Sequence, residues 1–220
     1  AVDLLSAKLP QGGRARVILA PTIVGCLVHE AIGHTVEADF VASGSVAAGK
    51  LGQRVASELV NLYDSGRSEL AAGAGGTLPV DDEGVPTRCT KIIEAGILTS
   101  YLHDRESAAR FGVEPTGNAR AWEYSDSPLI RMRNTYIVPG DRELDDMIAE
   151  IEDGYLLDGA RNGQADSTGE SNEKRLSARD GKASSQASAA TPSARPACSR
   201  RCGAPRSTYT AQATRTRGTR

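Results

Sequence analysis

The first 170 residues are predicted to form an α+β fold. Short β-branched runs that end at proline or glycine are intermixed with segments whose apolar residues recur every three or four positions, the spacing of an amphipathic helix. A hairpin at 90–102 joins two strands through a short turn, so at least part of the sheet is antiparallel. Strands and helices do not alternate regularly and no internal repeat is present, which disfavours a parallel α/β fold.

In the first half, residues 16–20 are a short apolar run closed by Pro21, which predicts a buried strand. Residues 24–40 carry apolar side chains at helical spacing and predict one helix with an apolar face. Residues 42–52 are small and glycine-rich and predict a loop. Residues 55–63 favour a strand that ends at the polar turn 64–66.

In the second half, the predicted hairpin has strands at 90–93 and 97–102. Asp104 is placed to cap a helix over 105–111 that stops at Gly112. Residues 134–138 predict a strand that ends at a Pro-Gly pair. Asp141 is then predicted to cap a helix that runs until Gly154, and residues 155–157 suggest one more strand.

The charge of the chain divides it into a body and a tail. Residues 171–220 hold 11 of the 26 Lys and Arg but only two of the 28 acidic residues, so the tail carries about +9 and residues 1–170 about −11. Leu176 and Tyr209 are the only large apolar or aromatic residues of the tail. Such a segment cannot offset about 1–2 kcal/mol of ordering entropy per residue, so the tail is predicted to be disordered.

The sequence favours a cytoplasmic protein without a membrane segment. No window approaches the roughly 18 apolar residues that a span needs, and the first residues lack the pattern of a secretion signal. Cys26 and Cys89 stand far apart and do not suggest a disulfide framework. The basic tail lacks a recognition fold, so it predicts nonspecific attraction at best and no specific nucleic-acid partner.

Two histidines and a glutamate within six residues, His29, Glu30 and His34, are the candidate metal site. In the common zinc-peptidase motif the histidines lie four apart, on one helix face. Here they lie five apart, roughly 140° around a regular helix. One metal ion could be shared only if the helix breaks or widens, for instance by a π-bulge, which Gly33 is suited to absorb. Spacing alone also allows a chance pair of histidines.

Several neighbouring side chains have candidate roles. Glu30 follows the first histidine directly and is suited to deprotonate a zinc-bound water. Glu37 and Asp39 lie within the next turn and are candidates to orient the histidines through hydrogen bonds. Cys26, three residues before His29, is more typical of a structural thiol than of a ligand, and His103 is expected to be a surface or turn histidine.

The motif at 29–40 closely resembles the signature of the TldD/PmbA metallopeptidases, once called modulators of DNA gyrase. Further matches follow in the same order at 55–59, 81–86, 115–118 and 131–136. The resemblance covers roughly residues 14–170 and points to the zinc-bearing, TldD-like branch, because the partner branch lacks the histidine motif.

The resemblance implies a zinc peptidase. His29 and His34 would be zinc ligands and Glu30 the catalytic base, in an α+β fold with a large antiparallel or barrel-like sheet. It also implies a cytoplasmic enzyme that cleaves unstructured peptides or unfolded proteins and assembles as a homo- or hetero-oligomer with a related subunit. The substrate-binding residues remain unassigned.

Two departures from the family pattern bear on activity. The family has an additional N-terminal domain, of which residues 1–13 would be a remnant. Its chains also continue past the end of the resemblance to a cysteine that is the third zinc ligand. The tail at 171–220 is interpreted as frameshifted or unrelated, and Cys198 and Cys202 within it are not expected to replace that ligand.

Other features favour a structural interpretation. The loop at 81–84 lacks the ligand spacing of a calcium site and is expected to be a solvated turn. Arg131 and Arg133 are expected to share one solvated face, and Trp122 and Tyr124 to pack under a loop.

Two functions follow from the sequence. The first is a zinc peptidase acting on an extended chain laid beside a sheet edge. The alternative is an inactive remnant, or a partner-dependent subunit, that binds metal weakly and does not cleave by itself.

Overall fold

The computed structural model describes residues 13–67, 69–71, 73–158 and 178–179. The proposed remnant at 1–13 and the predicted disorder of 171–220 therefore lie outside the described residues, apart from Gly13 and Ala178–Arg179. Within the described ranges, none of the helices has both the length and the apolar character needed to cross a membrane.

The described part of the chain contains short helices and strands intermixed along the sequence. The α-helices are α1 (Pro21–Val28), α2 (Ala38–Ala42), α3 (Arg105–Phe111) and α4 (Leu144–Ala149). The strands are β1 (Arg16–Leu19), β2 (Leu62–Ser65), β3 (Cys89–Glu94), β4 (Ile97–Leu98), β5 (Ala119–Arg120), β6 (Leu129–Ile130), β7 (Asn134–Ile137), β8 (Gly154–Leu157) and β9 (Ala178–Arg179). Between α1 and α2 lie a π-helical segment, His29–Gly33, and a 3-10 turn, His34–Val36.

The strands form three sheets, of which the largest supports the candidate site. It is antiparallel with the order β4-β3-β2-β7. In a second sheet, β8 pairs in parallel with β1 and antiparallel with β9, and β5 and β6 form a separate two-stranded hairpin. The mixed α and β composition and the antiparallel sheet are confirmed. The barrel-like prediction is wrong for the described residues, because their strands form separate sheets.

The main core lies between the largest sheet and the helical segment that carries the histidines. Its buried apolar members come from these two parts and from the chain beside them, and include Val28, Val36, Ala38, Leu62, Ile92, Ile93, Leu98, Leu102 and Ile130. The chain after the 3-10 turn becomes extended at Glu37, where it forms a parallel bridge with Leu102. This bridge fixes the end of the histidine segment to the chain that follows the β3–β4 hairpin.

Local chemistry explains the elements that were predicted correctly. The β3–β4 hairpin turns at Ala95 and Gly96, both with positive φ (47° and 78°), as a two-residue hairpin turn requires. Asp104 caps α3 by accepting a hydrogen bond from the Ser107 N–H at 2.7 Å, and Gly112 closes the helix in the left-handed conformation.

Other boundaries were predicted wrongly. The strand expected at 55–63 occupies Leu62–Ser65, since Asp64 and Ser65 continue it instead of ending it. Both are buried with their side chains hydrogen bonded, so their polarity does not terminate the strand. The last helix begins at Leu144 after Glu143, without a side-chain cap, so Asp141 is not its cap. The β5–β6 hairpin was not predicted.

Candidate metal centre

The helix that carries the two histidines changes from α to π geometry at His29, as the five-residue spacing predicted. The backbone N–H of His34 donates to the carbonyl oxygen of His29. This i→i+5 bond widens the turn by one residue and stacks position 34 over position 29. The two imidazole rings lie with their centroids 4.8 Å apart and their planes at 85°. The structure therefore brings both predicted ligands to one face.

Gly33 allows this geometry through its lack of a side chain. Its φ and ψ, −54° and −53°, lie in the right-handed helical region that every residue adopts, so the expectation that its flexibility absorbs the distortion is wrong. A Cβ at Gly33 would stand 1.9 Å from Sδ of Met132, which is buried. A larger residue at position 33 would therefore have to displace the side chain of Met132.

Glu37 accepts a hydrogen bond from His34 beneath the site. It is fully buried, and its Oε2 lies 3.1 Å from Nδ1 of His34. When Nδ1 of a neutral imidazole donates, the other ring nitrogen keeps its lone pair for a metal. The bond to Glu37 raises the pKa of His34, while burial raises the pKa of Glu37.

His29 is held in a different electrostatic environment. Partial burial and the neighbouring His34 lower its pKa, partly offset by Glu30 and Asp64. A lowered pKa favours the neutral imidazole, the form that binds metals. Glu30 is half-buried, and its charge acts on both imidazoles. The three predicted site residues are thus within electrostatic range of one another.

A third metal ligand is not found in the described ranges, where no group of three or more His, Cys, Asp or Glu side chains is placed to hold a metal ion. Cys26 is half-buried on α1, one turn before His29. Asp39 is exposed, and its Oδ1 accepts from the N–H of Phe40 at 2.9 Å, so the structure gives the orienting contact to Glu37 instead of Asp39. Two neighbouring imidazoles are donors of the kind that zinc prefers, and a catalytic zinc site needs at least one further protein ligand.

His103 lies apart from this pair and is buried, so its prediction as a surface or turn histidine is wrong. Its Nδ1 lies 3.2 Å from Oγ of Ser107, and its ring packs against Tyr101 and Phe111. Burial lowers its pKa. It belongs to the packing at the start of α3.

Asp81 of the loop at 81–84 and Arg133 are also more buried than predicted, whereas Asp82 and Gly84 of the same loop are exposed. Asp81 is buried, and its carboxylate accepts the N–H groups of Glu83, Val85 and Ala119. Arg133 is buried as well, with its Nε and Nη2 each 3.1 Å from the carbonyl oxygen of Gly117. Both polar side chains therefore hold loops together, and the prediction of a solvated residue is wrong for Asp81 and Arg133.

Trp122 and Tyr124, which were expected to pack under a loop, are instead on the outside. Their exposed fractions are 91% and 102%. Both belong to the connection between β5 and β6, which extends away from the core. Aromatic residue type alone was therefore a poor guide to burial at these positions.

Asp64 is the residue near the site that sequence reasoning missed. It is buried on β2, and its carboxylate accepts from the backbone N–H of Arg133, Oγ1 of Thr135 and Nδ2 of Asn118, each at 2.8 Å. The same Asn118 side chain donates to the carbonyl of Arg131. An acidic residue directly after two apolar strand residues was the available signal, and it was interpreted as a turn.

Comparison with known proteins identifies the family to which the chain is related. Residues 12–182 match the model of the PmbA/TldA metallopeptidase C-terminal domain. A metalloprotease of Methanocaldococcus jannaschii is 46% identical over 167 residues, 76% of this chain and 36% of the relative. A zinc metalloprotease TldD homolog of Saccharolobus solfataricus is 42% identical over 169 residues, 76% of this chain and 37% of the relative. The chain thus spans about a third of the length of these curated relatives.

The fold is also similar to that of a solved relative. The crystal structure of TldE from Thermococcus kodakarensis aligns with a TM-score of 0.63 and 29% identity, covering 72% of this chain and 36% of that chain. The family match covers more than three quarters of the sequence and includes the histidine segment and the largest sheet. The chain belongs to the PmbA/TldD family of metallopeptidases and corresponds to its C-terminal domain.

Proposed function

We propose that this chain carries the metal centre of a zinc-dependent peptidase that cleaves unstructured peptides in the cytoplasm. The observation that supports this most directly is the close approach of the His29 and His34 rings, whose centroids lie 4.8 Å apart across the π-helical turn. A chance pair of histidines has no need of this uncommon geometry. The name of the Saccharolobus solfataricus relative, a zinc metalloprotease, supports zinc as the ion.

The proposed roles follow from the contacts of each side chain. His29 and His34 would hold the ion, which when bound supplies a Lewis acid that lowers the pKa of water to about 7. Glu37 orients His34 through Nδ1. Glu30, next to His29 and acting electrostatically on both imidazoles, would accept the proton of the attacking water on its carboxylate and later pass it to the leaving amine.

The proposed substrate is an extended peptide that pairs with an edge of the largest sheet. In the described part of the chain, β7 is an edge strand and begins two residues after Met132, which lies against Gly33. Main-chain pairing does not depend on side-chain identity, so broad selectivity would follow. By family resemblance, the third ligand and the rest of the cleft would come from outside the described residues or from a related subunit.

Metal analysis combined with peptide hydrolysis tests the proposal. The purified chain, alone and with a related full-length subunit, is loaded with zinc, dialysed against metal-free buffer and assayed on an unstructured peptide. We expect stoichiometric zinc and cleavage that is lost in Glu30→Gln. The exposed Glu58 provides a matched control, Glu58→Gln, that should cleave normally. Cleavage that is unchanged in Glu30→Gln would overturn the proposed base.

The alternative is a subunit that binds metal weakly and does not cleave by itself. It is favoured by the absence of a three-ligand group among the described residues. The same experiment separates the two functions. Zinc that is lost on dialysis, with no cleavage by the chain alone, supports the alternative, and cleavage restored by the added subunit identifies it as partner-dependent.

A further inference from the structure

The contacts around Glu37 assign a further role in this site. We propose that Arg131, for which the sequence suggested no function, is a positioning residue that holds the Glu37 carboxylate against His34 and thereby fixes the orientation of that imidazole. The inference rests on the proposed metal-binding function of His34.

Few neighbouring groups define the orientation of the Glu37 carboxylate. This carboxylate is fully buried, yet Oε1 has no hydrogen-bond partner among the described residues. Both contacts are made at Oε2, which lies 3.1 Å from Nδ1 of His34 and 3.9 Å from Nη1 of Arg131. Without Arg131, the bond to His34 alone would define how the carboxylate is turned.

Arg131 is itself held in place by hydrogen bonds to neighbouring residues. Its backbone N–H donates to the carbonyl of Asn118 at 2.8 Å, and its own carbonyl accepts from Nδ2 of Asn118 at 2.9 Å. Its guanidinium Nη1 also donates to the carbonyl of Ile130 at 2.8 Å. The Asn118 amide is held in turn by the buried carboxylate of Asp64. A positive charge held in this position can attract the Glu37 carboxylate and favour one orientation of it.

Orientation of the carboxylate matters because of what it does to His34. A carboxylate acceptor at Nδ1 selects the tautomer whose other nitrogen is available to a metal, and such outer partners typically contribute about 10- to 100-fold to metal affinity. Arg131 acts on His34 only through Glu37, whose Oε2 lies 3.9 Å from Nη1 of Arg131. We expect its removal to weaken metal binding about threefold to tenfold, less than loss of a direct partner.

Two readouts on Arg131→Met test the proposal, one of them without metal. In metal-free protein with ¹⁵N-labelled histidine, at a fixed pH where the imidazoles are neutral, we expect the Nδ1–H fraction of His34 to fall. In Co²⁺ titrations followed by visible absorption, we expect the threefold to tenfold loss of affinity. Arg131→Lys, which keeps the charge, should recover part of both. An unchanged His34 tautomer in Arg131→Met would overturn the proposal.

Control variants keep the outcome decisive. Arg110→Met removes the same charge from an exposed ion pair with Glu106 and should alter neither readout. In a Glu37→Gln background, which lacks the charge that attracts Arg131, the Arg131→Met change should have no further effect, and a full effect there would contradict the inference. If the wild-type chain fails to bind Co²⁺, the proposed function fails, while the tautomer measurement still decides the role of Arg131.

Discussion

The Sδ atom of Met132 occupies the space that a side chain on Gly33 would need, 1.9 Å from the position of its Cβ. Met132 is buried and stands next to Arg131, which contacts Glu37. This close approach therefore joins the π-helical turn to the segment that leads into β7. It makes residue 33 a position where packing, and not backbone conformation, excludes larger residues.

Gly33→Ala is therefore expected to destabilise the protein, although alanine normally stabilises a helix by about 1 kcal/mol relative to glycine. Overpacking of a filled site costs about 1–3 kcal/mol, so we expect a net loss in the free energy of unfolding measured in urea. In a Met132→Ala background the same substitution should become neutral or stabilising. A loss of equal size in both backgrounds would contradict the packing explanation.

The fold was predictable where local chemistry decides the structure. Asp104 and Gly112 determine the ends of α3 by capping, and Ala95 and Gly96 make the hairpin turn. The break between His29 and His34 was predictable from a functional constraint, since two ligands must share one face. These predictions needed only neighbours in sequence.

Several of the failures share one physical cause, which is tertiary burial of polar residues. Asp64 looks like a turn residue, but three donors from distant segments satisfy its carboxylate inside the sheet. Arg133 and Asp81 were expected in solvent for the same reason. Asp81 accepts from Ala119, 38 positions away, and the guanidinium of Arg133 donates to Gly117, 16 positions away. A pattern of local spacing does not contain these contacts. The third metal ligand remains unassigned.

Asp64→Asn is expected to lower the free energy of unfolding by about 1–3 kcal/mol, the cost of leaving a buried polar group without its partner. Both oxygens of Asp64 accept hydrogen bonds, so the new amide group must face a donor whichever way it turns. Asp126→Asn, at an exposed position, should change stability by no more than about 0.5 kcal/mol. If both substitutions lowered the free energy of unfolding in urea equally, the hydrogen bonds to Asp64 would not have the stabilising role expected here.

His103 is expected to make the protein less stable in mild acid. Burial lowers its pKa below 6.5 in the folded state, so the unfolded chain binds the proton more strongly. The stabilising contribution is full above pH 6.5 and is lost as the pH falls through the lowered value. His103→Gln, which cannot titrate, should therefore lose less stability than the wild type as the pH falls below 6.5. If the free energies of unfolding of the variant and the wild type fell in parallel as the pH is lowered, this role of His103 would be contradicted.

Glu37→Gln and Asp39→Asn should affect metal affinity very differently, although both residues were candidates to orient the histidines. Glu37 contacts Nδ1 of His34 at 3.1 Å, and loss of such a partner weakens binding by about 10- to 100-fold. Asp39 is exposed and accepts from the N–H of Phe40, so its amide variant should keep the wild-type affinity. Zinc competition against a chromophoric chelator measures both. Glu37 is the only carboxylate that contacts His34 among the described residues, so its charge should affect how this imidazole binds a metal. A weak effect of Glu37→Gln would therefore mean that His34 does not bind the ion in the orientation seen here.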